Sequence, residues 1–277
     1  MKVFISADIE GIAAATYWTE VEPEKYGMEK YENAMVLEYD KYCEIMTDEV
    51  LKVCEAAFKA GATEIVIKDA HHDGTNINTA RLPKGVKIIR GWERHPYEMV
   101  QGIDESFDCI AFVGYHSAAG NAGNSLSHTT SLDACSVKIN GVETSEFLLY
   151  SIVAASLGVP TVFLAGDKAL CDSAKALFPW VETAAVKEGK GHSTKTLTPH
   201  DADELIYKNA LKAFSQDMKK VPLYQIPEKF ECEVTYKEHA DATARQYYPG
   251  CKMIGRNTVG FTAKSAYEMA QTFLFIL

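Results

Sequence analysis

The sequence predicts an α/β protein: a mainly parallel sheet flanked by helices, followed by a smaller C-terminal α+β segment. Three observations lead there. Short apolar, β-branched runs recur at Lys2–Ala7, Glu64–Lys68, Asp108–Tyr115 and Thr161–Ala165, the length and composition of buried strands. Stretches of helical periodicity alternate with them, giving strand–helix–strand units whose strands should be parallel with right-handed connections. Beyond about residue 190 the pattern changes, which divides the chain into an α/β metal-binding catalytic domain at 1–190 and a smaller α+β domain at 191–277.

In order, the first strand ends in Asp8-Ile9-Glu10-Gly11, and Ala13–Pro23 reads as a loop. Helical spacing starts near Glu29 and runs through Met35, Tyr39, Tyr42 and Met46. Thr47 is placed to cap a following helix whose apolar stripe is Val50, Leu51, Cys54, Ala57 and Phe58, with Gly61 as its terminator. The second strand runs into Asp69-Ala70-His71-His72-Asp73, Val86–Arg90 is a third, and a short helix lies near Tyr97–Gly102. The strand ending at Tyr115 is followed by His116 and a Gly/Asn/Ser-rich loop that closes at His128. Ala134–Ile139 is a strand closed by the turn dipeptide Asn140-Gly141. Thr144 or Ser145 caps an apolar helix carrying Glu146 in its first turn, with Gly158 and Pro160 beyond its end. Thr161–Ala165 leads to Gly166-Asp167, and Val181–Val186 completes the sheet. Gly189–His192 interrupts the chain, Thr198-Pro199 opens a helix to Phe214, Phe230–Tyr236 is a strand, and an apolar helix starts near Ala263.

Composition narrows the function. A formal charge of -10 is the wrong sign for a nucleic-acid binder. No window reaches the roughly 18 apolar residues that span a membrane. The first apolar run stops at Asp8, short of a signal-peptide core. Seven scattered cysteines without a Cys-x-x-Cys pair make neither a disulfide framework nor a thiolate zinc site. A reduced, cytoplasmic setting follows, and any metal should be held by histidine and carboxylate.

Ligands of an open parallel sheet bind beyond the carboxyl ends of its strands. There this chain repeatedly places acids and histidines: Asp8 and Glu10, Asp69 and His71, His116, Asp167. Strand alternation aims Asp8 and Glu10 the same way, and two parallel carboxylates need a cation or proton between them. Histidines with carboxylates suit a divalent ion, zinc foremost. More than four such groups suggest a two-metal site with a shared carboxylate, for which Asp8 is the natural bridge. Glu146 is the further carboxylate, although a first-turn acid also simply complements a helix dipole. His72, Asp73, Asp69 and Asp167 are better suited to orienting ligands than to binding metal. His95, His192, His200 and His239 lack evident partners, and Lys190–Lys195 reads as a solvated loop.

Asp-Ile-Glu-Gly at 8–11, Asp-Ala-His at 69–71, Gly-Tyr-His at 114–116, Ser-His at 127–128 and Ser-Glu at 145–146 resemble, in order and spacing, the motifs of the zinc D-aminopeptidase family. The likeness extends through Val159–Asp167 and Ala184–Lys187. It implies two zinc ions per subunit: Asp8 bridges them, Glu10 and His71 complete one, and His116 and Glu146 complete the other. It also implies His128 as the catalytic histidine, short D-amino-acid peptides such as D-Ala-D-Ala as substrates, and a ring-like homo-oligomer, a decamer in the typical case. From its chemistry alone, His128 is suited to stabilising an oxyanion or protonating a leaving amine. Two alternatives stand beside this reading. A metal-dependent amidase or phosphoesterase would use the same ions, and a non-catalytic small-ligand-binding α/β protein would bind no stoichiometric metal.

Overall fold

The computed structural model describes residues 1–22 and 32–277, with side chains from Tyr39 onward in the second segment. Pro23, Glu29 and the side chain of Met35 lie outside the described residues. The elements in order are β1 (Lys2–Ala7), α1 (Trp18–Val21), α2 (Glu32–Lys59), β2 (Glu64–Asp69), β3 (Val86–Ile89), β4 (Cys109–Tyr115), β5 (Ala134–Ile139), β6 (Val142–Glu143), α3 (Glu146–Ser156), β7 (Thr161–Asp167) and α4 (Lys168–Leu177). They continue with β8 (Glu182–Lys190), β9 (Ser193–Thr196), α5 (Pro199–Phe214), β10 (Phe230–Tyr236), α6 (His239–Arg245), β11 (Lys252–Met253), β12 (Thr258–Ala263) and α7 (Ala266–Ile276).

The main sheet has the order β3-β2-β1-β4-β7-β8-β9. Its pairs are parallel except the β8–β9 hairpin. Period-two alternation sorts its side chains into two cores. Val3, Ile5, Ile65 and Ile67 join Val50, Val53 and Ile206 of α2 and α5 on one face. Phe4, Val66, Phe112 and Leu164 join Phe147 of α3 and Phe273 of α7 on the other. Beyond α3 and α7 lies an antiparallel sheet of order β11-β12-β10-β5-β6, whose Val137, Val234 and Val259 enter that second core.

Several local expectations are corrected. Thr47 caps no helix: it lies inside α2, and its hydroxyl bonds back to the Cys43 carbonyl at 2.7 Å. The loop after β1 contains the short helix α1. The helix near Tyr97 is a 3-10 turn, Glu98–Val100. Lys190–Lys195 is solvated as expected but is not a loop: it is the tip of the β8–β9 hairpin, turned at Gly191 with φ 60°. The antiparallel sheet takes β5 and β6 from before residue 190. Helix α5, from after it, packs on α2 and β8. Of the caps, Ser145 accepts from the Leu148 amide and Thr198 from the Asp201 amide. Among the described residues, no helix is long and apolar enough to cross a membrane. All seven cysteines are free.

Candidate metal centre

Strands β1, β2, β4 and β7 are parallel neighbours or next neighbours, so their carboxyl ends open on one side. The chain closes tightly there. Gly114 has φ 71°, and a Cβ on it would lie 2.1 Å from the Asp8 carbonyl oxygen. A Cβ on Gly11 would lie 1.8 Å from the Tyr115 carbonyl oxygen. The Asp8 amide donates to the Val113 carbonyl and the Gly11 amide to that of Gly114. These glycines let the loop after β1 lie flat on the end of β4, bringing Asp8 and Glu10 against His116.

The expected alternation is not what pairs the two acids. Strand β1 ends at Ala7, and Glu10 lies in a turn closed by the Ile12 amide on the Ile9 carbonyl. The turn nevertheless buries both carboxylates, and Asp8, Glu10 and His116 offer ligand atoms within 4.8 Å of one another.

His71 Nε2 lies 3.3 Å from Glu10 Oε1. His116 Nε2 lies 3.5 Å from Asp8 Oδ2 and 3.2 Å from Glu146 Oε2. His128 Nε2 lies 3.7 Å from Glu146 Oε1, and its ring stacks on that of His116 with centroids 4.2 Å apart. All six expected site residues thus meet in one place. His116, His128 and Glu146 also form a close ligand group of their own.

Each histidine commits Nδ1 elsewhere and leaves Nε2 to the site. His71 Nδ1 donates to Asn76 Oδ1 at 3.2 Å, His116 Nδ1 to the Ser117 carbonyl at 2.9 Å, and His128 Nδ1 to the Leu126 carbonyl at 3.0 Å. That fixes the tautomer expected of a metal ligand or proton carrier. The carboxylates follow the same pattern: Asp8 Oδ1 accepts from the Ile9 amide and Glu146 Oε1 from the Thr130 amide. Asp8 Oδ2, Glu10 Oε2, His116 Nε2 and Glu146 Oε2 are buried without a hydrogen-bond partner among the described residues.

Unpartnered buried polar atoms are costly, and four gathered in two overlapping groups around His116 mark a place for cations. Proton affinities agree. Burial, then the charges of Glu10 and Glu146, hold Asp8 well above the usual carboxylate range. Burial also opposes ionisation of Glu10, but His71 outweighs it and carries Glu10 well below that range. Burial presses His116 downward, yet Glu146 lifts it to about 9. His128 is lowered by burial and by neighbouring His116. The site draws protons onto two histidines because it has an excess of negative charge, which divalent ions would neutralise.

The site opens into a cavity of about 440 Å³ that is also lined by Trp18, Trp92, Glu98 and Tyr150. Of the supporting residues, sequence reasoning named Asp69 and Asp167 and missed Asn76 and Lys187. Asn76 orients His71, and its Nδ2 donates to Asp69 Oδ1 and the His71 carbonyl, both at 2.7 Å. Asp69 itself anchors the loop through the Ile77 amide. Asp167 accepts from the Ser117 amide at 2.7 Å and its hydroxyl at 2.6 Å, fixing the residue beside His116. Buried Lys187 donates to the Glu10 and Ala15 carbonyls. Asp69 and Asp167 carried a signal in the sequence, as acids at strand ends.

A sequence model of the D-aminopeptidase family Peptidase_M55 matches residues 1–275. A curated D-aminopeptidase of Bacillus subtilis (strain 168) is 30% identical over 276 residues, 99% of this chain and 96% of the relative. The solved Zn-dependent D-aminopeptidase DppA from Bacillus subtilis, described as a self-compartmentalizing protease, superposes with a TM-score of 0.89 at 29% identity. That match covers 100% of this chain and 96% of the other.

Proposed function

The chain belongs to the M55 D-aminopeptidase family, and on that premise we propose a dinuclear zinc enzyme that removes the N-terminal residue from short D-amino-acid peptides such as D-Ala-D-Ala. It is a metallo-aminopeptidase, a peptide hydrolase. The observation that carries the finer reading is the convergence of four unpartnered buried ligand atoms from Asp8, Glu10, His116 and Glu146. In this assignment Glu10 and His71 would hold one zinc, His116 and Glu146 the other, and Asp8 would serve both. When bound, the ions supply a Lewis acid for the scissile carbonyl and make water a usable nucleophile near neutral pH.

The remaining chemistry falls to the chain. With Nδ1 bonded to the Leu126 carbonyl and its proton affinity lowered, His128 presents a neutral Nε2 to the site. That atom can take a proton from the attacking water and pass it to the departing amine. A neutral imidazole held this way is an acceptor first, which favours proton transfer over oxyanion donation. Trp18 meets the His128 ring edge-on, with centroids 5.4 Å apart, and limits its rotation. The Thr130 amide, in a residue with φ 59°, holds Glu146 so that one oxygen still faces His116.

We also propose that the chain self-associates, as a decameric ring in the fullest form of this reading. Its support is the description of the solved relative as a self-compartmentalizing protease, together with exposed Tyr247 and Phe275. Hydrolysis of D-Ala-D-Ala and L-Ala-L-Ala before and after chelation, with zinc measured on the same sample, tests the proposal. Chelator-sensitive cleavage of the D form is expected. Zinc without D-dipeptide cleavage would overturn the substrate assignment.

A further inference from the structure

An aminopeptidase must recognise a free α-ammonium group, and none of the groups assigned above is committed to that task. Of the carboxylates lining the cavity, Asp8, Glu10 and Glu146 face the histidines. Asp133 lies 3.8 Å from Arg245, and Glu22 has a partner of its own. Glu98 differs: it forms no ion pair among the described residues, and its one side-chain partner is the Tyr150 hydroxyl, which donates to Oε2 at 3.0 Å.

Its backbone is also unusual. Glu98 has φ 30°, a conformation that costs a non-glycine residue energy and persists only where the surroundings impose it. The surroundings do impose it. The Glu98 amide donates to the His95 carbonyl at 2.9 Å, and the next carbonyl, of Met99, accepts from the Ser6 hydroxyl at 2.5 Å. Ser6 lies in β1, two residues before Asp8. On the other side, Tyr150 stands four residues after Glu146 on α3 and so shares its face. Two independent attachments therefore tie Glu98 to the elements that carry the metal ligands, and it lines the same cavity as they do.

We propose that Glu98 anchors the α-ammonium of the substrate, a role that rests on the aminopeptidase reading above and specifies how it selects N-termini. Burial pushes its carboxyl up to about 6, with Arg94 only a minor opposing influence. A cation arriving with the substrate is the partner this carboxylate lacks. A substrate held there by its ammonium lies in the cavity that the metal ligands also line, and N-blocked peptides leave the carboxylate they bury without a counter-charge.

The test is Glu98→Gln, which keeps an acceptor for Tyr150 and removes the charge. For D-Ala-D-Ala, KM should rise about 10- to 100-fold, the worth of a charge-assisted hydrogen bond. Zinc content should match wild type and kcat should stay within about threefold. Propionyl-D-alanine, the same dipeptide without its amine, is the second probe. Its inhibition constant should be no weaker in Glu98→Gln than in wild type, because the variant buries no uncompensated charge beneath it, whereas a merely structural loosening would weaken both ligands together. A KM change below 10-fold, or a parallel loss for propionyl-D-alanine, overturns the assignment. Wild-type enzyme that holds zinc but cleaves no dipeptide overturns the aminopeptidase reading instead, so the two failures are told apart.

Discussion

Replacing Glu49 by Gln tests how the loop that presents Glu10 is supported. Glu49 is fully buried in α2, and its Oε1 accepts from the Ala13 amide at 2.8 Å. Burial pushes its carboxyl from 4.5 to about 8, so the folded protein carries it neutral at pH 7. A carboxyl raised in this way takes up a proton on folding. Its contribution to stability is complete below about pH 4.5 and is lost as the pH rises toward 8. Each pH unit within that window is worth about 1.4 kcal/mol, so two units from pH 5.5 to 7.5 remove roughly 2.5 kcal/mol. Glutamine matches the shape of the neutral acid and does not titrate. The stability of Glu49→Gln minus that of wild type should therefore increase by roughly 2.5 kcal/mol across this interval. Paired urea unfolding at pH 5.5 and 7.5, with chelator present throughout, measures it. A difference that does not change with pH would mean that Glu49 is ionised in the fold, balanced by buried Lys187, and would refute the reasoning.

Asp8→Ala should empty both metal positions, whereas His128→Ala should keep zinc and lower kcat by about 10²- to 10⁴-fold, the usual range for a lost proton carrier. Metal analysis of the two variants decides it, and equal zinc loss would make His128 a ligand. Asn76→Ala removes the partner of His71 Nδ1 and should weaken zinc binding about 10- to 100-fold, read by competition with a chromogenic chelator. Gly114→Ala places a Cβ 2.1 Å from the Asp8 carbonyl oxygen at φ 71°. It should cost more than the roughly 1–2 kcal/mol of the left-handed backbone alone. A melting temperature unchanged from wild type would contradict that.

The parallel sheet was legible because its strands are short apolar runs separated by helix-length segments, and Glu64–Lys68 and Asp108–Tyr115 each came within one residue of the observed element. What failed was local. Thr47 has a cap's composition but sits mid-helix with its hydroxyl turned back on Cys43, because α2 is held along its length by α5 and the sheet. Strand β12 (Thr258–Ala263) and helix α6 were missed, since both are short and make sense only against β10. At the site, all six expected residues meet, but for Asp8 and Glu10 the expected reason differs from the observed one: a turn over Gly11 and Gly114 brings them together, not strand alternation. Asn76 and Glu98 had no local pattern to reveal them, and Lys187 stood in a resembling run without an assigned role. Their roles come from long-range contacts, Lys187 reaching Glu10 from 177 positions away.

The central claim is that two zinc ions share Asp8 at the carboxyl ends of β1, β2 and β4. Anomalous diffraction from crystals of the zinc-loaded protein, collected on both sides of the zinc absorption edge, tests it most directly. The account predicts two zinc peaks per subunit, one beside Glu10 and His71, the other beside His116 and Glu146, with the Asp8 carboxylate touching both. A single peak enclosed by His116, His128 and Glu146 would contradict it, and would turn the proposed proton carrier into a ligand.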